Sequence, residues 1–262
     1  MTHKVKPLGT ITPVCVDERG RLSGFVHSFE MGSAVDGPGM RFVLFMSGCQ
    51  FRCLYCHNPD TIKMHNGSMM TVNQIIEEID EYAPFLRKAG GITISGGEPL
   101  MQAHFISEIL YLAKHDLHLH TTIDTQGFLA AHLEDDWFEN VDLVLLDIKH
   151  IDPEKHLALT LQPLQPTLDF ARRLSAMGKK MWIRYVLVPG YTDKPEDVDK
   201  LADFVASLQG VERVEVLPFH KMGEHKWQEL GYTYQLKDVQ PPSVALVQRV
   251  ITQFRQRGLT TC

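Results

Sequence analysis

The stretch that decides the fold reads Cys49-Gln50-Phe51-Arg52-Cys53-Leu54-Tyr55-Cys56-His57-Asn58. Its three cysteines, Cys49, Cys53 and Cys56, follow the spacing C-x-x-x-C-x-x-C, and a loop this short can place three thiolates around one small inorganic body. Thiolates are soft ligands that favour iron–sulfur clusters and zinc. A closed cluster or a closed zinc site takes four protein ligands. Three cysteines therefore leave one position open, and an open iron can bind a substrate directly.

Other interpretations of these cysteines are open. Zinc could take His57 as a fourth ligand, but the spacing matches none of the common zinc patterns and His57 is adjacent to Cys56. A disulfide framework is disfavoured, because the trio is odd in number and the N-terminus, MTHKVKPLGT, lacks the apolar core of a secretory signal. The pattern therefore favours an iron–sulfur cluster. Cys15 and Cys262 are expected to be free thiols.

Composition narrows the class of protein. The chain has 262 residues, of which 44% are apolar and 22% charged, and this suits one large α/β domain or two small ones. The net charge of −6 argues against a nucleic-acid partner held by bulk electrostatics. No apolar run approaches the length of a membrane span, so no membrane association is expected. We expect a cytoplasmic protein, a location that also keeps cysteines reduced.

Short apolar runs alternate with amphipathic stretches through most of the chain. The runs predict strands at 41–46, 91–95, 117–123, 141–146, 181–188 and 214–219, and the stretches predict helices at 72–88, 105–114, 168–177, 195–208 and 243–257. Thr71 is a plausible N-cap of the first helix, Gly178 closes the third, and Pro195 falls in the first turn of the fourth. Residues 14–16 and 24–26 flank a polar turn and predict a hairpin.

The alternation indicates parallel βα units, and six units are too few for a closed eight-fold barrel. We therefore expect an α/β fold, an open partial (β/α)6 barrel of TIM type, with a short N-terminal β extension. The predicted organisation is an N-terminal extension at residues 1–23 and a single domain at residues 24–262.

Polar or glycine clusters follow nearly every predicted strand. They are the cysteine loop, Gly96-Gly97-Glu98-Pro99, Asp124-Thr125, Asp147-Ile148-Lys149 and His220. Because parallel strands of such folds end at one face, where function resides, these clusters are expected to converge on one site. The loop at residues 35–39, which has two glycines around a proline, is expected to border it.

Each cluster has a chemical and a purely structural interpretation. Gly96 and Gly97 let the backbone approach a ligand closely, or form a tight turn. Asp124, Thr125 and Asp147 offer hard oxygens for a cation, or serve as helix N-caps.

Basic residues complete the predicted site. Lys149 can pair with Asp147 beside a zwitterionic ligand, and Arg184, in the middle of a strand, is expected to line the substrate channel. His115, His118 and His120 are expected at the surface.

The cysteine motif, with the aromatic Tyr55 before its last cysteine, resembles the signature of radical S-adenosylmethionine (SAM) enzymes. The resemblance implies that the cysteines hold a [4Fe-4S] cluster whose fourth iron chelates the amino and carboxylate groups of SAM. It also implies the (β/α)6 partial barrel. Gly96-Gly97-Glu98 resembles the motif that binds the SAM amino group, in which the glutamate orients the loop.

The same resemblance implies the remaining ligands. Lys149 would hold the SAM carboxylate and His220 the adenosine. The implied cofactor-binding residues are Tyr55, His57, Gly96, Gly97, Glu98, Asp147, Ile148, Lys149, Arg184 and His220. A monovalent cation would be held by Asp124, Thr125, Asp147 and Leu145, the last through its backbone carbonyl.

A closer similarity extends from about Gly24 to near the C-terminus. Residues 35–42, 53–58, 182–186 and 217–220, together with His225-Lys226-Trp227, resemble the activases of glycyl radical enzymes, in the branch whose protein substrate is pyruvate formate-lyase. The resemblance implies reductive cleavage of SAM and removal of a glycine α-hydrogen by a 5′-deoxyadenosyl radical. It also implies a flavodoxin- or ferredoxin-type electron donor and a monomeric enzyme. Pro99 and Leu145 depart from the usual alanine and methionine.

Two alternatives to this function stay open. A non-enzymatic iron–sulfur or zinc protein would not bind SAM, and Gly96, Gly97 and Lys149 would then be coincidental. An activase of another glycyl radical enzyme would share the chemistry. Several of those carry extra cysteines for additional clusters, whereas residues 57–95 contain none, so the sequence favours a single-cluster activase.

Overall fold

The computed structural model describes residues 10–262, so the first nine residues of the predicted N-terminal extension lie outside the described residues. The strands are β1 Cys15–Val16, β2 Leu22–Ser33, β3 Met40–Met46, β4 Ser68–Thr71, β5 Gly90–Gly96, β6 His120–Thr125, β7 Leu143–Asp147, β8 Lys180–Leu187 and β9 Val211–Pro218. The α-helices are α1 Val72–Asp80, α2 Ala83–Ala89, α3 Ala103–His115, α4 Pro153–Thr160, α5 Gln165–Ala176, α6 Pro195–Ala206, α7 Glu224–Glu229 and α8 Val244–Arg255. Short 3₁₀ turns join several of them.

One sheet organises the described chain. Its order is β1-β2-β3-β5-β6-β7-β8-β9, and β4 pairs with β2. The six strands from β3 through β5–β9 are parallel neighbours in chain order, which confirms the predicted βα units. The order runs from one end to the other without closing, so the open partial barrel is also confirmed. Parallel pairing brings the carboxyl ends of these six strands to one face.

The predicted hairpin is present. Asp17 and Gly20 close its turn by backbone hydrogen bonds, and β1 pairs with the start of β2. The second strand is much longer than expected and runs antiparallel to β3 as far as Ser33, so it crosses the predicted boundary at residue 23. No apolar run signals β4, because Ser68 and Met69 are exposed, Met70 is half-buried and only Thr71 is buried.

The predicted single helix at 72–88 is wrong, because the chain forms α1 and α2 with a break at residues 81–82. Pro84 lies in the first turn of α2, where its missing N–H has no cost, but it would interrupt a continuous helix. The predicted cap is confirmed: the Thr71 hydroxyl accepts from the Gln74 N–H, and the Gln74 side chain accepts from the Thr71 N–H at 2.9 Å.

The predicted strand at 117–123 is shifted, since β6 begins at His120. His118 has a φ of 54°, a left-handed conformation that cannot continue a strand. His115 and His118 are exposed as expected, whereas the surface prediction for His120 is wrong. Its ring is half-buried, 3.3 Å from the guanidinium of the fully buried Arg41.

Helices α4 and α7 were not predicted from the sequence. The Asp152 side chain caps the start of α4, and Leu161, which follows its last residue, adopts a left-handed conformation. Helices cover the outside of the sheet and bury its aliphatic face; Ile75, Ile79 and Ile106, for example, are fully buried. Within residues 10–262, no helix is long and apolar enough to cross a membrane.

Candidate active site

One cavity of about 480 Å³ opens at the carboxyl ends of the parallel strands. Among the predicted site residues, those in its wall are Cys49, Cys53, Tyr55, Cys56, His57, Gly96, Gly97, Asp124, Thr125, Asp147, Lys149, Arg184 and His220. Val35 and Asp36 also line it, so the loop at 35–39 borders the cavity as expected. The structure therefore brings five strand ends, far apart in sequence, to one concave surface.

Three predicted residues lie behind that surface. Glu98, Leu145 and Ile148 are fully buried and form no part of the cavity wall. Leu145 and Ile148 can reach a ligand only through backbone atoms, since their side chains belong to the hydrophobic core. Glu98 has a different role, which follows from its hydrogen bonds.

Glu98 ties two loops together. Its carboxylate accepts from the Leu100 N–H at 2.9 Å, the Thr125 hydroxyl at 2.6 Å and the Gln126 N–H at 3.2 Å. Burial raises the pKa of this carboxyl to about 7, although these donors oppose the shift. Glu98 thus orients the loops after β5 and β6, which is the role that the sequence suggested for it, and does not present its side chain to the cavity.

Gly96 and Gly97 are required because a side chain at either position would clash with the neighbouring backbone. Gly96 has a φ of +115°, and a Cβ there would lie 2.2 Å from the Met46 nitrogen. A Cβ on Gly97 would lie 2.2 Å from the Gly48 carbonyl oxygen. The loop can therefore pack directly against the start of the cysteine loop only because both side chains are absent.

Backbone hydrogen bonds hold the cysteine loop from two sides. The Gly48 N–H donates to the Thr61 carbonyl at 2.7 Å. The N–H groups of Arg52 and Leu54 donate to the carbonyls of Thr160 and Leu159, at 2.8 and 3.0 Å. These two acceptors belong to the last turn of α4, where carbonyls lack helical partners. No sequence pattern indicates this anchor, because α4 has little apolar periodicity.

The three cysteines are half-buried, and their thiols interact electrostatically. Burial, aided by the neighbouring cysteines, raises the pKa of Cys49, and burial raises that of Cys53 to about 12. Burial likewise raises the pKa of Cys56. Without a metal these thiols stay protonated, so the binding of metal releases protons from them.

The chemistry of the donor set indicates which metal centre these cysteines fit. Among residues 10–262, no three His, Cys, Asp or Glu side chains lie within reach of a single metal ion. One zinc ion would hold its sulfurs at about 2.3 Å in a tight tetrahedron. An iron–sulfur cluster takes one soft thiolate per iron, and the three cysteines that line this cavity supply that donor set.

Arg184 connects three strands, β6, β8 and β9, with the loop at residues 35–39. Its guanidinium contacts Asp124 at 2.9 Å, Glu215 at 3.2 Å and Asp36 at 3.3 Å, and donates to the Val35 carbonyl at 2.7 Å. Burial opposes its charge, but the carboxylates outweigh burial and raise the Arg184 pKa. The sequence did not single out Glu215, because one acidic residue in an alternating strand is typical of a solvated face.

Asp124 retains an unused acceptor. Its Oδ2 is taken by Arg184 and by the Ser95 hydroxyl at 2.8 Å, while its Oδ1 is buried without a hydrogen-bond partner. Burial raises the Asp124 pKa to about 6 despite Arg184. A buried carboxylate oxygen without a donor is costly, so this atom is suited to a bound cation.

Lys149 lies beside the cysteine loop. Its Nζ is 2.8 Å from Asp147 Oδ2 and 5.8 Å from the centre of the Tyr55 ring. Burial opposes protonation of Lys149, yet Asp147 raises its pKa well above the ordinary value. The lysine therefore stays charged while it faces the cavity, where it can bind an anionic group.

His57 and His220 stack at the other end of the cavity. Their ring centres are 4.0 Å apart, and His57 Nε2 lies 3.1 Å from the His220 carbonyl oxygen. Burial, together with His220, lowers the pKa of His57. Gln126, which sequence reasoning missed, also lines the cavity and places its amide nitrogen 3.9 Å from Cys49 Sγ.

Comparisons with known proteins agree with this arrangement. The sequence model of the Radical SAM superfamily matches residues 43–205. A Staphylococcus aureus protein named pyruvate formate-lyase-activating enzyme is 46% identical over 246 residues, which cover 90% of this chain and 97% of that protein.

Two solved structures show the same architecture. A domain of a pyruvate-formate lyase-activating enzyme from Bacteroides vulgatus superposes with a TM-score of 0.55 and 26% identity, covering 66% of this chain and 98% of that one. A radical SAM methyltransferase from Sphaerobacter thermophilus has a TM-score of 0.63 at 18% identity and covers 98% of this chain and 77% of its own, which shows a shared fold.

Proposed function

The chain belongs to the radical SAM superfamily and, within it, to the pyruvate formate-lyase-activating enzymes, and on this premise we propose how its residues serve that activity. It is an enzyme that activates pyruvate formate-lyase. When bound, the [4Fe-4S] cluster supplies the electron that cleaves SAM to methionine and a 5′-deoxyadenosyl radical, which takes an α-hydrogen from one glycine of the lyase and leaves a glycyl radical. The protein's own part is to bind, orient and shield these reactants.

The observation that carries the proposal is the convergence of the cysteine loop, the glycine loop, Lys149 and His220 on one cavity. Cys49, Cys53 and Cys56 would hold three irons and leave the fourth open to SAM. Lys149, held in position by Asp147, would donate to the methionine carboxylate. The backbone at Gly96 and Gly97 would accept from the SAM amino group, and His220 would contact the adenosine.

Charge balance supports a cation in the same cavity. Three carboxylates line it, from Asp36, Asp124 and Asp147, whereas only two cations do, Arg184 and Lys149. The unpartnered Asp124 Oδ1 lies among them. A monovalent cation held by Asp124, Thr125, Asp147 and the Leu145 carbonyl would reduce the excess negative charge and occupy that acceptor.

The target residue must enter the cavity from another protein. A glycine has no Cβ to hinder its approach, and flanking amides delocalise the resulting radical. Arg184 and Asp36 border the space that such a peptide would occupy. A flavodoxin- or ferredoxin-type donor, a monomeric state and a cytoplasmic location complete the proposal.

The central test is anaerobic reconstitution followed by incubation with SAM, a reductant and purified pyruvate formate-lyase. We expect four irons and four sulfides per chain and a glycyl radical in the electron paramagnetic resonance (EPR) spectrum of the lyase. Cys49→Ala, Cys53→Ala or Cys56→Ala should abolish cluster binding, whereas Cys15→Ala should not. Stoichiometric zinc without iron uptake would refute the cluster.

The cation has its own test. Cluster-loaded protein would be titrated with SAM in sodium, potassium and tetramethylammonium chloride at one ionic strength. Because the last ion is too large for the carboxylates to surround, SAM should bind more weakly in it. The dependence should vanish in Asp124→Asn. Equal affinity in all three salts would leave Asp124 as a partner of Arg184 alone.

A further inference from the structure

His225-Lys226-Trp227 forms a motif that the proposed reaction leaves without a role. It belongs to residues 219–229, which run from the end of β9 through α7 and are called the clamp segment below. This segment begins at Phe219 and His220, which is where the adenosine of SAM is proposed to bind. It then passes over the second half of the cysteine loop.

Two side chains of the clamp segment hold the cysteine loop directly. The Trp227 indole N–H donates to the carbonyl of Cys56 at 2.9 Å. Lys226 Nζ donates to Asn58 Oδ1 at 3.0 Å and pairs with Asp60 Oδ2 at 3.0 Å. Cys56 is itself a proposed cluster ligand, so the indole positions the residue that carries one iron.

Two further contacts bring the segment against the loop backbone. A Cβ on Gly223 would lie 2.7 Å from both the Cα and the carbonyl oxygen of His57, so this approach requires glycine. The stacked rings of His57 and His220 form the second contact. Asp60 is also bound from the opposite side by His27 of β2, at 3.0 Å, so the loop is fixed between the sheet and the clamp.

The contacts are sheltered from solvent. The side chains of Lys226 and Asp60 are 28% and 26% exposed, so their ion pair is screened less than a fully exposed one. The Trp227 ring packs against Tyr234, with ring centres 5.7 Å apart, and its indole therefore has a fixed direction. Part of the cysteine loop thus depends on side chains more than 160 residues away in sequence.

We propose that the clamp segment links the adenosine end of the SAM site to the cluster loop, with Trp227 and Lys226 as positioning residues for Cys56 and its neighbours. The link rests on the proposed function, because it requires SAM to bind next to a cluster. When SAM orders His220, the same segment orders residues 56–60. The loop in turn holds His220 in place for SAM, since such coupling is reciprocal.

The chain offers matched controls for both side chains. Trp137 is also half-buried, and its indole also donates to a backbone carbonyl, that of Ala103 at 3.2 Å, but it lies away from the cavity. Lys114 is 29% exposed and pairs with Asp142 at 2.8 Å on the opposite end of the sheet. Trp227→Phe is therefore compared with Trp137→Phe, and Lys226→Met with Lys114→Met.

Three quantities are measured on cluster-loaded protein under anaerobic conditions: iron content, SAM affinity by equilibrium titration, and amide hydrogen exchange of residues 53–61 without and with SAM. Loss of one sheltered hydrogen bond is worth roughly 1–1.5 kcal/mol, which is about a five- to tenfold change in affinity. We expect each clamp variant to keep its iron, to bind SAM about five- to tenfold more weakly and to exchange faster at residues 53–61. The two controls should match wild type.

Different failures have different meanings. If wild type itself does not bind SAM, the proposed function is refuted. If the clamp variants bind SAM as wild type does, or if both lose iron while remaining folded, the link is refuted and the segment only supports the loop structurally. Should Trp227→Phe fail to fold, Lys226→Met decides the outcome, because its side chain is partly exposed.

Discussion

The buried charge cluster around Arg184 makes the sharpest prediction about stability. Replacing Arg184 by methionine preserves most of the side-chain length and removes the guanidinium that faces Asp36, Asp124 and Glu215. The four side chains are only 9–15% exposed, so the remaining carboxylates would be left in a poorly solvated site. Breaking a buried pair in this way costs about 3–5 kcal/mol, whereas breaking an exposed one costs about 0–1 kcal/mol.

The assay is denaturant unfolding of cluster-loaded protein at pH 8 without SAM. Arg184→Met should lose about 3–5 kcal/mol of unfolding free energy. Arg173→Met removes an arginine whose partner, Asp135, is 66% exposed, and should lose at most about 1 kcal/mol from that ion pair. Asp124→Asn in the Arg184→Met background removes one unpaired charge, and should restore part of the loss.

A double-mutant cycle gives the coupling between Arg184 and Asp124. If Arg184→Met costs no more than Arg173→Met, or if Asp124→Asn adds its own destabilisation instead of restoring stability, the carboxylates are not held by Arg184 and the charge argument is wrong.

Three other predictions follow from single side chains. Lys149→Met should weaken SAM binding roughly thirty- to hundredfold, because it removes a charge-assisted contact of about 2–3 kcal/mol. Lys155→Met also breaks a lysine–aspartate pair but should leave SAM affinity unchanged. Equal SAM affinities of the two variants would show that Lys149 does not bind SAM. Burial lowers the pKa of His156 from 6.5 to about 4, so the folded protein favours the neutral imidazole. The contribution of His156 to stability is therefore fully present above about pH 6.5, and the free energy of unfolding should fall by up to about 3 kcal/mol towards pH 4. Unfolding titrations of His156→Gln should lack this acid sensitivity. Thr71→Ala should cost about 1 kcal/mol of unfolding free energy by removing the cap of α1, and an unchanged denaturation midpoint would contradict that.

Local patterns in the sequence determined much of the fold. The apolar runs that became β3 and β5–β9 are mostly buried, and parallel strands need a crossover between them, so alternation alone predicted the βα units. Errors arose where one residue overrides a pattern. Pro84 divides a continuous helical period into α1 and α2, and the left-handed His118 delays β6.

The identity of the candidate ligands was also readable from sequence, because cysteine spacing and strand-end clusters are local features. The structure then placed these residues in one cavity and left Glu98, Leu145 and Ile148 behind its wall. Whether a side chain at a strand end faces the cavity or the core depends on the conformation of the loop, which no local pattern encodes.

The sequence by itself thus determined the cluster motif, the class of fold and the face on which chemistry occurs. Only the tertiary structure decided the partners of each group: Glu215 for Arg184, the last carbonyls of α4 for the cysteine loop, and Trp227 for Cys56. These contacts join residues 31 to 171 positions apart, and each depends on how several elements pack at once. Periodicity and spacing report only on neighbours in the chain, so contacts of this kind become visible only when the chain is folded.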